Sequence, residues 1–475
     1  MPRDNGTFLV TPDGAPQERI VGFETEYALQ WKAGPIKPKY EVINMLGSAF
    51  SKADSSFLPT GERVYVDVGT HPEYCTAEET IFLDAAYRVL RGHVYMAERL
   101  KAVNQQDKLL KTGSPILIAN TCDTAGSSWS SHENYLVRRG LEIGRFAPAL
   151  IVHNATRIVW SGAGTVQDTE DGSFQFGLSE KADFMIDTIS PDTTRIRGLV
   201  NTRDEPHADP NRYRRIHNIS GETVFSPFAQ ALRMASASIL LRACELGVNF
   251  NDLALAYPVE AMQEISADPS LKHRVELKNG QRMTAVDVQK KLAERSIYAA
   301  QAAGYLTPQE EAWAGGWIEV LDDLSRDPQS CDTRVDWVIK QGFIEEVLDS
   351  NDKRHGDKKK PARDVAWKAA AYYHTLAPKE GKGMQLIRSG HYDLSPTADV
   401  LDKGLPLPET RAKIRGQAIK KARKSSYEIS CDWSVFGIKD YGLSRSVTLS
   451  DPYATQNDRV DALFEPRPMI TAPAS

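Results

Sequence analysis

Two carboxylates one residue apart, Glu24 and Glu26, stand in the run Arg19-Ile20-Val21-Gly22-Phe23-Glu24-Thr25-Glu26-Tyr27, whose alternation predicts a strand. Side chains two positions apart on a strand leave from the same face, so at neutral pH this pair repels unless a cation sits between the two. Taken alone the pair favours a metal only weakly, because polar strand faces are common. A second run, Arg63 to Val68, places Tyr65 and Asp67 on one face and Val64, Val66 and Val68 on the other, the valines directed at packed helices. After the turn Val68-Gly69-Thr70 comes His71-Pro72-Glu73-Tyr74, with a further carboxylate. Such an oxygen-rich set suits magnesium, which accepts carboxylates, keeps waters and bridges nucleotide phosphates; no sulfur and nitrogen set of structural zinc type competes with it.

A third cluster, Asn201-Thr202-Arg203-Asp204-Glu205-Pro206-His207-Ala208-Asp209, leads into Arg212-Tyr213-Arg214-Arg215-Ile216-His217. Guanidinium groups such as Arg203 and Arg215 can neutralise a phosphoryl group through bidentate hydrogen bonds, and an imidazole can ligate a metal. For any one of these residues a surface ion pair is the commoner role. There is no GxxxxGK[ST], kinase glycine loop, GxGxxG, HExxH or GxSxG segment, so ATP use requires another fold.

These residues must be positioned by a mixture of strands and helices. Helical patterns run from Ala77 to Asn104, Phe225 to Leu246, Thr284 to Ala303 and Val365 to Leu376, with strand pieces at Ser131–Leu136 and Gly198–Thr202, which together predict an α+β fold. Asp349 to Arg363 holds nine charged residues and reads as an exposed linker. Prolines 396, 406 and 408 punctuate a boundary near residue 400. The expected division is an N-terminal extension over 1–18, a catalytic domain over 19–400 and a small domain over 401–475, in keeping with a length of 475 residues. A net charge of -5 gives no reason to expect a nucleic-acid partner. No stretch approaches the ~20 apolar residues that cross a bilayer, and five scattered cysteines without a CxxC pair suit a reducing cytoplasm.

Taken in order, the segments GxExE at Gly22–Glu26, YxD…HPEY at Tyr65–Tyr74, SHENYL at Ser131–Leu136 and NTRDEPHAD…RYRRxH at Asn201–His217 resemble the Pup ligase and depupylase family. The resemblance extends from about Arg19 to the segment Asp432–Phe436. It implies a glutamine-synthetase-like fold, in which a curved, mainly antiparallel sheet packs on helices, and an enzyme that uses ATP and Mg2+. It further implies magnesium sites at Glu24, Tyr65, Glu73 and His217, with Glu26 and His132 as weaker additions. Arg203 would approach the γ-phosphate, Asp67 would be the catalytic residue, and Trp433 would lie against adenine. The implied partners are a Pup-like protein modifier and its protein targets.

Several features bear on the direction of the reaction. Asp67-Val68-Gly69-Thr70-His71-Pro72-Glu73-Tyr74 looks like the ligase version, Asp192-Thr193-Thr194-Arg195 leans the same way, and the long depupylase insertion is absent because Glu24 and Asp67 are 43 positions apart. Against this, Ser179–Phe184 resembles the hydrolase side, and Ala119-Asn120-Thr121 replaces a family KNN. The expectation is a ligase that activates a glutamate side chain as an acyl phosphate and joins it to lysine. The alternatives are a hydrolase of the same amide bond, an enzyme acting on a small carboxylate, and a non-catalytic ATP binder.

Overall fold

The computed structural model describes residues 6–31, 56–67, 71–106, 115–123, 126–129, 131–355, 360–425, 427–440 and 443–465. The turn Val68-Gly69-Thr70 therefore lies outside the described residues. Five short strands form the central sheet: β1 (Val21–Glu26), β2 (Arg63–Val66), β3 (Pro72–Cys75), β4 (Ser131–Arg138) and β5 (Tyr213–Asn218). Their spatial order is β5-β4-β1-β3-β2, and every neighbouring pair is antiparallel.

Because strand side chains alternate, this sheet has two chemically opposite faces. Val21, Phe23, Tyr135, Val137 and Ile216 point to one side and join the main hydrophobic core. That core is built around α1 (Phe82–Gln106), α2 (Ile143–Thr156) and α3 (Pro227–Glu245). All nineteen residues of α3 are buried, and the helix is capped by Ser226, whose hydroxyl accepts from the Ala229 amide at 3.1 Å. A helix buried all round must pair its charges. Arg233 binds Glu133, and Arg242 binds Glu310 from α4 (Pro308–Arg326).

Residues 6–18 pack on this core ahead of Arg19. The Tyr305 hydroxyl accepts from the Leu9 amide at 2.6 Å, and Arg242 donates to the carbonyls of Leu9 and Gln17. On β2, Val64 is buried as expected, whereas Val66 is only half-buried.

The expected linker over Asp349 to Arg363 needs correction. A helix spans Asp336–His355 and the next covers Ala362–Tyr373. Buried Ile344 and half-buried Val347 and Leu348 pack with Ala366, Ala369 and Ala370, so Asp349 to His355 continue a packed helix, with Asp352, Lys353 and Arg354 exposed. After residue 410 come α5 (Arg411–Lys424) and a three-stranded antiparallel sheet of β6 (Glu428–Asp432), β7 (Val435–Asp440) and β8 (Leu443–Thr448). These share a separate apolar cluster that also takes in Phe57. Among the described residues no helix is long and apolar enough to cross a membrane.

Candidate active site

The face of the central sheet opposite the core carries the chemistry. Cross-strand register brings Glu24 opposite His132 on β4 and Cys75 on β3, Glu26 opposite Glu73, Tyr65 opposite Glu73, and His217 opposite Asn134. Directly opposed residues on antiparallel strands share a face, so alternation gathers residues nearly two hundred positions apart. Two groups result, each with its ligand atoms within 4.8 Å of one another: Glu24, His132 and His217, and Glu26, Asp67 and Glu73.

In the first group His132 Nδ1 lies 3.4 Å from Glu24 Oε2, buried and without a hydrogen-bond partner. The Nδ1 of His217 faces Asn134 Oδ1 at 3.0 Å, a contact that orients the ring. Burial opposes the charge on Glu24, yet the carboxyl is held well below the usual range by its neighbours His217, His132 and Arg215. Burial also drives His217 toward the neutral form. Arg215 is the permanent charge among these neighbours, and its guanidinium lies 3.3 Å from Oε1 and 2.7 Å from Asn134 Oδ1.

In the second group burial pushes the Glu73 carboxyl well up, and the nearby charges of Glu24, Glu26 and Asp67 push it further. Tyr65 hydrogen-bonds Glu73, and burial keeps its phenol protonated far above the usual range, so it enters as a neutral partner of Glu73. Three clustered carboxylates and an unpartnered imidazole nitrogen are what a hard divalent cation satisfies, and the donor sets fit magnesium.

These residues line a cleft of about 650 Å3, within the range of ligand sites. Arg203 stands at the rim, 49% exposed and paired with Glu205 at 2.8 Å, whereas Arg215 is fixed beneath it. Against the cleft lies a mostly apolar cavity lined by Ile20, Leu136, Ala208, Pro452 and Trp433 together with the β1 chain at Val21 to Phe23, and both cavities share Glu24, Cys75, His207, Arg215 and Trp433. Trp433 occupies the two-residue turn between β6 and β7, with Asp432 paired to Val435. Its indole packs edge-on to Phe57 at 5.0 Å, and the Arg415 guanidinium lies over it at 5.3 Å. It is therefore both a packing residue and a wall of the cavity.

A polar, acid-lined cleft continuous with an apolar slot matches the outline of a nucleotide, and the known relatives agree. The family model described as Pup-ligase protein matches residues 38–436. The Pup–protein ligase of Gordonia bronchialis is 33% identical over 465 residues, covering 94% of this chain and 99% of that one. That of Micrococcus luteus is 33% identical over 472 residues, covering 95% and 99%.

The chain belongs to the Pup ligase family.

The fold is that of PafA in its complex with the prokaryotic ubiquitin-like protein Pup, with a TM-score of 0.82 at 28% identity over 94% of this chain and 90% of that one. PafA in complex with ADP is similar with a TM-score of 0.75, again at 28% identity, over 91% of this chain and 94% of the other. The expected α+β architecture and the ligase class both hold for this member of the Pup ligase family.

Structure adds cleft residues that sequence reasoning passed over. Ser127, Ser128, Trp129 and Arg197 line the cleft, beside Thr193 and Thr194 of the segment that the sequence singles out only for direction. Arg197 donates to the Ser128 carbonyl at 2.7 Å, and His71 stacks on Trp129 at 4.6 Å. Glu133, inside the SHENYL segment, is not in the cleft at all. It points into the core, where Arg157 and Arg233 clamp it and hold its carboxyl well below the usual range against burial. Alternation alone could have assigned it there, since its neighbours His132 and Asn134 face the cleft.

Proposed function

We propose that this chain uses ATP with magnesium to activate a glutamate side-chain carboxylate of a Pup-like modifier and to join it to a lysine of a protein target. The observation that carries the reading is the pairing of two acidic or histidine groups on one sheet face with an adjoining apolar cavity closed by Trp433. The relatives' names supply the modifier: they are Pup–protein ligases, and the solved neighbours are PafA with Pup and PafA with ADP.

In this reading Glu24, His132 and His217, and Glu26 and Glu73 with Tyr65 behind them, would hold magnesium, leaving Asp67 beside the second group as the base. Bound there, the ion would offset negative charge on the phosphates and the transferring phosphoryl group. Adenine would enter the apolar cavity against Trp433, delivered by the small domain over 401–475 to the body over 19–400. Arg215 holds Glu24 in place, and Arg203 at the rim is free to swing from Glu205 onto the γ-phosphate, where a planar guanidinium can make two hydrogen bonds. The modifier's carboxylate oxygen attacks the γ-phosphorus and ADP leaves, giving an acyl phosphate. The lysine nitrogen then attacks the acyl carbon, phosphate departs, and the nitrogen loses a proton. Asp67 would take that proton: it is half-buried, whereas Glu26 and Glu73 are buried, so it is the member of its group an incoming amine can reach.

The test is incubation of the purified chain with MgATP, Pup ending in glutamate and a lysine-bearing protein, followed by mass spectrometry. An isopeptide-linked product with one ADP released per link supports the proposal. ADP release without a link, or cleavage of a pre-made conjugate with no synthesis, overturns it.

A further inference from the structure

Resting on the reading of Trp433 as the adenine wall, we propose that Glu78, with Arg415 and Arg411, is a positioning residue that sets nucleotide affinity by fixing Trp433 against the central sheet. Glu78 follows β3, three residues beyond Cys75, and belongs to the body that carries the metal groups. Arg411 and Arg415 lie one turn apart at the start of α5, on the Trp433 side. Arg411 Nε donates to Glu78 Oε1 at 2.8 Å, Arg415 Nη1 donates to the same oxygen at 2.8 Å, and Arg415 Nη2 takes the other oxygen. The backbone doubles the join, since Thr410 Oγ1 donates to the Glu78 carbonyl at 2.9 Å.

Arg415 is the part that reaches the pocket. Its Nη1 also donates to the Trp433 carbonyl at 2.9 Å, Nη2 reaches the Gly61 carbonyl at 3.4 Å, and the guanidinium plane lies over Phe57 at 5.0 Å and over the Trp433 indole at 5.3 Å. One buried cation thus touches the segment before β2, the segment after β3 and the tip of the β6–β7 turn. Glu78, Arg411 and Trp433 all line the apolar cavity, together with Ile20 to Glu24. Burial opposes the charge on Glu78, and Arg415 and Arg411 more than offset it, bringing its carboxyl down to about 2. The join is charged throughout any working pH, and as a rigid bidentate fork it defines an orientation that an apolar contact would leave loose.

The experiment is a double-mutant cycle on the KM for ATP, read by ADP release with saturating modifier and lysine substrate. Glu78→Gln in the wild-type background is expected to raise KM on the order of tenfold with kcat little changed, because the two metal groups are untouched. In the Trp433→Ala background the same substitution is expected to add less than about twofold, since its effect passes through the indole. Glu78→Asp, which keeps the charge, is expected to recover part of the wild-type value. If Glu78→Gln does not fold, as judged by circular dichroism, Arg415→Lys carries the same cycle: an ammonium keeps the charge but cannot reach Glu78, Gly61 and Trp433 together. Equal increases in the two backgrounds, or a fall in kcat with KM unmoved, would overturn the proposal while leaving the adenine reading intact. An unchanged KM in Trp433→Ala would remove the adenine reading and this proposal with it.

Discussion

Replacing Glu73 with glutamine should stabilise the protein without magnesium and weaken its response to magnesium. The ligand atoms of Glu26, Asp67 and Glu73 lie within 4.8 Å of one another. At an effective dielectric of about 20, two unit charges at that distance repel by roughly 3.5 kcal/mol. Without a cation the group lowers this cost by keeping a proton on Glu73, the carboxyl that burial and its neighbours push upward. Holding a proton at pH 7 on a carboxyl of ordinary value 4.5 costs on the order of 3 kcal/mol. Glutamine removes that cost, and with an unfolding entropy near 1 kcal/mol/K for 475 residues the metal-free melting temperature should rise by about 3 °C. The same change deletes an oxygen ligand, so the magnesium concentration for half-maximal ADP release should rise by on the order of tenfold or more. The assay is thermal melting in EDTA and across a magnesium titration, with ADP release alongside. A lower melting temperature in EDTA with an unaltered magnesium response would refute the reasoning, because Glu73 would then be a structural acid and not part of a cation site.

Arg203→Lys should lower turnover by ~10²-fold with ATP affinity nearly kept, since an ammonium cannot make the paired hydrogen bonds of a guanidinium to a phosphoryl group; an unchanged kcat would return Arg203 to its ion pair with Glu205. Trp433→Ala should raise the KM for ATP more than it lowers kcat, and calorimetry with ADP should report the same loss. Burial depresses both His93 and His374 to about 3 from 6.5, so the unfolded chain takes up protons first as pH falls. Their contribution is complete above pH 6.5 and is lost on descent toward 3, at about 1.4 kcal/mol per pH unit for each histidine. Urea unfolding of His93→Gln should match the wild-type slope above pH 7 and become shallower than it by nearly one proton as pH falls from 6.5 to 5, and an identical slope throughout would contradict the assignment.

How much of this was legible depended on whether period-two alternation carried it. Glu24 with Glu26, and Tyr65 with Asp67, are placed on common strand faces by the sequence, and all four line the cleft; the strand that carries Arg215 and His217 is not among the expected ones. What alternation could not give was register. The sorting of these side chains into two groups comes from Glu24 opposing His132 and Glu26 opposing Glu73, and it puts Asp67 within ligand distance of two carboxylates. The start of the charged stretch at Asp349 reads as a linker because composition alone does not separate a linker from the last turns of a helix; the apolar contacts that hold that helix, at Ile344, Val347 and Leu348, precede the stretch and depend on the helix they pack on. The clamp of Glu78 by Arg415, 337 positions away, left no local trace, since a buried ion pair is written by tertiary contact and not by spacing. The packing of residues 6–18 was invisible for the same reason: its anchor is Arg242, in the last turn of a fully buried helix, and the carbonyls it holds are far away in sequence.

The central claim is that one face of the sheet binds MgATP and that Asp67 on that face performs the transfer. Asp67→Asn keeps the side chain's shape and removes its basicity. Calorimetry with MgADP on this variant should give a Kd within a few-fold of wild type, while the isopeptide product from Pup, MgATP and a lysine-bearing protein falls below detection. A variant that still forms the product at the wild-type rate would contradict the account.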